Sequence, residues 1–176
     1  PAYVKKMDRP HRCVAFARDP EERLRSCYLY SRSGGEYWVR SAGIMRRLEV
    51  PNTTASLEDF WNFSGRGYLQ QSHDFLLMNQ AEGCTMIPYR TFESNFNSTI
   101  SEMLRAWGIK QKHHDDILLK VQKYDFGRWS KDALAREPHH SSSKFSSSMI
   151  GEVKYWLREH PEIQRILSKQ RSEISF

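Results

Sequence analysis

Arg18 and Ser26 are the pair whose types and spacing most clearly could do chemistry. Arg18 follows a short apolar run, Cys13-Val14-Ala15-Phe16-Ala17, and Asp19-Pro20-Glu21-Glu22-Arg23-Leu24-Arg25-Ser26 opens a helix. Strand, tight turn and helix in that order can hold a phosphate. The N–H groups of a helix's first turn lack partners inside the helix, and its dipole favours an anion. Asp19 can cap this helix, Pro20 suits its first position, and Glu22 completes a variant of the capping box. Arg18, last in the strand, points its guanidinium into the crevice at the strand's carboxyl end. Ser26 lies two turns past the cap at about 3.6 residues per turn, so it returns to nearly the face of Asp19. A cation and a hydroxyl can then meet one cluster of ligand oxygens. On these residues alone, an Arg-Asp-Pro turn is also simply a strand exit and a helix cap.

The elements that must position this pair come from hydrophobic spacing. Cys13 to Ala17 is apolar throughout, as a strand covered on both faces should be. Pro20 to Ser31 is predicted helical, with Leu24, Cys27, Tyr28 and Ser31 on one face, and Gly34-Gly35 breaks it. Residues 36 to 66 hold aromatic clusters with Arg40, Arg46 and Arg47 between them, and Leu57 to Trp61 reads as a short helix capped by Ser56. Tyr68 to Glu82 is a helix ended by Gly83, and Cys84 to Pro88 a second strand. Ile100, Met103, Leu104 and Trp107 recur at helical spacing up to Gly108. His114 to Tyr124 is a further helix, and Glu137 to Ser148 a polar loop. Ser147 or Ser148 caps a helix bearing Met149, Ile150, Val153, Trp156 and Leu157, and Pro161 starts a last one carrying Ile163, Ile166 and Leu167. Its Lys169-Gln170-Arg171-Ser172-Glu173 end reads as solvated. The βα alternation predicts a parallel sheet.

Composition narrows the partners without choosing one. The 176 residues carry a net charge of +6 with neutral histidines, and 12% are aromatic. A basic chain favours an anionic partner such as a nucleotide or an acidic glycan. Cations and acids interleave, so no nucleic-acid stripe stands out. No run approaches the roughly 18 apolar residues that span a bilayer, and no signal-like segment is evident. Cys13, Cys27 and Cys84 have no metal-ligand spacing and, being three, cannot all pair within the chain. Two of them lie in elements predicted as buried, where they read as small core residues. Asn52-Thr53-Thr54, Asn62-Phe63-Ser64 and Asn97-Ser98-Thr99 match the glycosylation acceptor pattern and point to a secretory lumen. His113-His114-Asp115-Asp116 has metal-ligand residue types, but adjacent helical residues point in different directions, so no metal site is expected.

The whole string, apolar strand, R-D-P-x-x-R-x-x-S, then Tyr28 and Tyr30, resembles the 3′-phosphate-binding segment of PAPS-dependent sulfotransferases. The resemblance extends in order over most of the chain. Met86-Ile87-Pro88-Tyr89-Arg90-Thr91-Phe92 is similar to that family's apolar strand followed by Y-E-D-L, with Arg90 in place of an acid. Ile100 to Ile109 is similar to its next helix, which ends in a phrase like F-L-G-I. Tyr124-Asp125-Phe126 falls where cytosolic members carry an adenine-packing segment. The later R-K-G phrase is absent, and Ser141-Ser142-Ser143-Lys144 occupies its stretch. The motif style is closest to Golgi-type carbohydrate enzymes.

The resemblance implies an α/β fold, a P-loop nucleotide-kinase-like three-layer arrangement around a central parallel sheet, of which this chain is the C-terminal portion only. It implies one incomplete domain over residues 1–176. The implied activity is sulfuryl transfer from PAPS to an acceptor hydroxyl on a carbohydrate, with Arg18, Ser26, Tyr89 and Phe126 binding the nucleotide and no metal. Arg40, Arg46 and Arg47 are then candidate acceptor contacts. The family's phosphosulfate loop and catalytic base lie upstream of the R-D-P strand, so the chain is expected to be part of a longer enzyme. The alternative is a non-catalytic sulfotransferase-like subunit, with a partner chain supplying or replacing the missing part. The implied compartment is the Golgi lumen, with the cytoplasm as alternative.

Overall fold

The computed structural model describes residues 12–33, 53–136 and 145–174. In chain order they form β1 (Val14–Ala17), α1 (Pro20–Arg32), α2 (Thr53–Phe60), a π-helical turn (Trp61–Gly65), α3 (Arg66–Ala81), β2 (Thr85–Pro88), α4 (Tyr89–Ser94), α5 (Phe96–Ala106), α6 (His114–Val121), α7 (Lys131–Arg136), α8 (Ser147–Glu159) and α9 (Pro161–Glu173). Short 3-10 turns lie at Gln111–His113, Gln122–Tyr124 and Phe126–Arg128.

The expected three-layer fold around a central sheet is corrected. Helices take 79% of the described residues, and their one sheet is the two-stranded parallel pair β1-β2. The physical reason is in the pattern. Only two short stretches are continuously apolar in the manner of a covered strand. The other apolar residues recur every three or four positions and bury themselves helix against helix.

The chain divides into two compact units. Among described residues, the first holds 12–18 and 76–128. β1 pairs with β2 from Val14 opposite Thr85 to Ala17 opposite Pro88. Cys13 and Cys84 stand one step before that register and form a disulfide, their Cα atoms 4.7 Å apart. The sequence reads two of the three cysteines as small core residues without saying which. Parallel pairing in this register instead makes Cys13 and Cys84 direct neighbours. Ala15, Ala17 and Ile87 are buried. Gly83 (φ +76°) ends α3 and Gly108 (φ +71°) ends α5, both in the left-handed region that glycine tolerates best.

The second unit holds 19–33, 53–75, 129–136 and 145–174. Its core is helical: Leu24, Tyr28 and Leu29 of α1, Leu57 and Phe60 of α2, Trp61, Leu69 of α3, Val153 and Leu157 of α8, and Ile163 and Leu167 of α9. Ser56 caps nothing. It lies within α2, fully buried, 2.8 Å from the Tyr28 hydroxyl. α8 is capped by Ser146, whose Oγ accepts the Met149 N–H at 3.2 Å, rather than by Ser147 or Ser148. Pro161 opens α9 as its spacing predicts.

Candidate functional site

Arg18 and Tyr89 each follow the last residue of a strand, and those residues, Ala17 and Pro88, are partners in register. The two side chains therefore leave the sheet at the same carboxyl edge. The Arg18 guanidinium carbon lies 4.7 Å from the Tyr89 ring centroid, within cation–π range. Phe16 meets the Tyr89 ring edge-on at 6.5 Å, and Phe92 is tilted against it at 6.1 Å. Burial raises the Tyr89 phenol above its usual range, the charge of Glu93 adds to this, and Arg18 opposes it. Phe126 is half-buried in the 3-10 turn that packs on α4, the helix carrying Tyr89. In that turn Asp125 accepts the Gly127 N–H at 3.1 Å and pairs with Arg128 at 2.9 Å. Thus Arg18, Tyr89 and Phe126 belong to one unit, whereas Ser26 is half-buried on α1 in the other.

The start of α1 differs from its expected role as a source of amide donors. Asp19 Oδ1 accepts from the N–H groups of Glu21 at 2.9 Å and Glu22 at 3.3 Å. The Arg23 N–H bonds Asp19 O at 2.9 Å, and Pro20 has no N–H to offer. The helix supplies its own anion at this end, so a phosphate here depends on side chains rather than on first-turn amides.

The C-terminal helix end is not simply solvated. Arg171 Nε donates to Asp19 Oδ2 at 2.8 Å, and its Nη2 reaches Asp19 Oδ1 at 3.1 Å and Glu21 Oε2 at 3.3 Å. Gln170, 2% exposed, accepts from Arg23 Nη2 at 3.1 Å and donates to Leu69 O at 3.2 Å. Arg23 also donates to Ser72 Oγ at 3.0 Å. Burial is the main force lowering the Arg23 pKa, while the negative charge of Asp19 opposes it. His73 Nε2 bonds Glu173 Oε2 at 2.7 Å. These contacts join residues from 49 to 152 positions apart, so local spacing could not reveal them. One signal was available: Gln170 continues the inward series Ile163, Ile166, Leu167.

Around α3 and α9 the second unit holds a groove of about 600 Å³, with Arg66, Gly67, Gln70 and His73 on one side and Glu162, Arg165, Lys169 and Glu173 on the other. Elsewhere His114 turns inward, its Nε2 2.9 Å from Ile109 O. No group of three His, Cys, Asp or Glu side chains among the described residues could hold a metal ion. Cys27 is the free cysteine, and burial pushes its thiol up to about 12. Arg40, Arg46, Arg47 and Lys144 lie outside the described residues. No helix among the described residues is long and apolar enough to cross a membrane. Compared with known families, characterised proteins and solved structures, the chain matches none.

Proposed function

We propose that this chain binds a 3′-phosphorylated adenosine nucleotide and serves sulfuryl transfer from PAPS to an acceptor hydroxyl on a carbohydrate. The observation that carries this reading is the juxtaposition of Arg18 and Tyr89 at the carboxyl edge of β1 and β2. A guanidinium pairs with phosphate oxygens, and aromatic faces accept a purine without reading its edge. In this reading Arg18 pairs with the 3′-phosphate, while Tyr89 and Phe126 accompany the adenine. All three belong to the first unit and position the donor; none does the transfer itself. The compartment that fits is a secretory lumen such as the Golgi. The Cys13–Cys84 disulfide suits an oxidising environment, and the acceptor residues Asn62 and Asn97 are exposed.

A second reading is favoured by the two-stranded extent of the sheet. Here the chain is a non-catalytic sulfotransferase-like subunit that works through its surfaces in a larger assembly. Calorimetry separates the two. Adenosine 3′,5′-bisphosphate is expected to bind tightly and 5′-AMP at least tenfold more weakly, with the difference abolished in Arg18→Ala. Absence of binding by the folded protein, or equal binding of both nucleotides, favours the subunit.

A further inference from the structure

The Cys13–Cys84 disulfide and the Arg18–Tyr89 contact stand at opposite ends of one short ladder. The bonded cysteines come one step before the first β1–β2 pair, Val14 with Thr85. Arg18 and Tyr89 come one step after the last, Ala17 with Pro88. Arg18 therefore lies as far along the chain from Cys13 as Tyr89 does from Cys84. Bonding Cys13 to Cys84 in register thus also makes Arg18 the partner of Tyr89.

Little else in the ladder fixes that register. The sheet is two strands of four residues each. A two-stranded sheet is marginal by itself, and parallel pairing is slightly the weaker kind. β1 is apolar at every position, so it lacks the apolar–polar alternation that specifies register in a half-covered strand. Pro88, last in β2, has no N–H to give. A slip of one residue would carry Arg18 about 3.3 Å along the strand and turn its side chain to the other face. The contact it would break spans 4.7 Å. The amino end of the ladder, by contrast, is held. The Cys84 N–H donates to Asn79 O at 3.0 Å, and the Thr85 N–H donates to Cys13 O at 3.0 Å. Beside Cys13, the Arg12 guanidinium fills the space that a Cβ on Gly108 would take, at the end of α5.

We propose that Cys13 and Cys84 are positioning residues for the carboxyl edge of the sheet: their bond sets the β1–β2 register and so brings Arg18 onto Tyr89. They touch no ligand and act through those two side chains. The edge is therefore sensitive to reduction. A dithiol passes two electrons to the cysteine pair, leaves as its own disulfide, and two cysteine thiols remain. β1 is then free to slip. The inference rests on the nucleotide reading only for the identity of the ligand at this edge.

The test is proton NMR of the whole chain at neutral pH. Nuclear Overhauser effects between the Arg18 side chain and the Tyr89 ring read the contact, with Tyr89→Leu assigning them. The Phe92–Phe96 ring contact, 5.1 Å between centroids and in the same unit, reports whether that unit is folded. In Cys13→Val/Cys84→Val the Arg18–Tyr89 signals should vanish while those of Phe92–Phe96 persist. Adding Ala15→Cys/Met86→Cys moves the bond to an in-register pair two residues on, on the same face. That relocated bond should restore the contact. Arg18–Tyr89 signals that survive in the folded valine pair overturn the proposal. Where the valine pair does not fold, the relocated bond decides: Phe92–Phe96 signals without those of Arg18–Tyr89 overturn it too. Affinity for adenosine 3′,5′-bisphosphate should fall at least tenfold in the valine pair and return with the relocated bond. Equal affinity in wild type and valine pair overturns the positioning role. Wild type that binds no nucleotide counts against the nucleotide reading alone, and the NMR comparison still decides the register.

Discussion

Arg171 closes on Asp19 across 152 residues of sequence, Nε 2.8 Å from Oδ2 and Nη2 3.1 Å from Oδ1. Asp19 therefore has two tasks. It caps α1 through the amides of Glu21 and Glu22, and it anchors α9 through Arg171. Burial alone would raise the Asp19 pKa. The hydrogen bond and charge of Arg171, with the two amides, outweigh it, and the net shift is downward.

Asp19→Ala removes both tasks and is expected to cost about 1–2 kcal/mol, the range of a lost N-cap. Arg171→Ala removes only the partly exposed ion pair and should cost under about 1 kcal/mol. A carboxyl held below its ordinary value stabilises the fold above that value, and this is lost as pH falls through the folded pKa. Wild type should thus lose stability below about pH 4, and Asp19→Asn should show a shallower acid limb. Urea unfolding between pH 2 and 7 measures this. Parallel acid limbs in the two proteins would show that Asp19 is not coupled to folding.

Arg23 is buried with only neutral acceptors at its guanidinium, Ser72 Oγ and Gln170 Oε1. Burying a charge is costly, and removing one of its few acceptors leaves it worse placed. Gln170→Leu should destabilise the second unit by about 2–3 kcal/mol. Arg23→Met/Gln170→Leu should recover part of that loss, because the stranded charge goes with the acceptor. Additive losses in the double variant would mean that Arg23 and Gln170 do not act together.

The local grammar of this chain was legible and its assembly was not. Asp19 as cap, Pro20 and Pro161 at helix starts, and Gly83 and Gly108 at helix ends are set by short-range chemistry, and the structure has them so. The two apolar runs became β1 and β2, and their parallel pairing followed the βα alternation. What misled was counting on further strands. Two strands satisfy the alternation as well as five do, and strand number is a long-range property. Ser56 misled for a related reason: a serine before apolar residues looks like a cap, and only tertiary packing on Tyr28 buries it inside α2. At the candidate site, Tyr89 was named through the family resemblance alone, whereas Arg18 could be named because it stands between an apolar run and a helix cap. The α3–α9 groove could not, since its walls come from segments about a hundred residues apart.

The disulfide carries a quantitative expectation. Cys13 and Cys84 are 71 residues apart, and closing a loop of that size restricts the unfolded chain by about 4 kcal/mol in the chain-entropy view. Reduction, or Cys13→Ser/Cys84→Ser, should lower denaturation midpoints by a corresponding amount. Cys27, with its thiol pushed up to about 12 by burial, should remain unalkylated at pH 8 until the second unit unfolds. Equal denaturation curves with and without reductant would rule out this stabilisation, and rapid alkylation of folded protein would show that the half-buried Cys27 thiol is not shielded by the fold.

The Arg18–Tyr89 contact can be tested without any nucleotide. Burial and Glu93 hold the Tyr89 phenol above its usual range, while Arg18 pulls the other way by favouring the phenolate. Removing the cation should therefore raise the Tyr89 pKa further, and Glu93→Gln should lower it toward the ordinary value near 10. The two substitutions move one group in opposite directions, which a general loosening of the fold would not do. Ultraviolet titration of tyrosinate, with Tyr89→Phe identifying the band, reads both shifts. A Tyr89 pKa indifferent to Arg18→Ala would separate the two residues, and with them the observation on which the nucleotide reading rests.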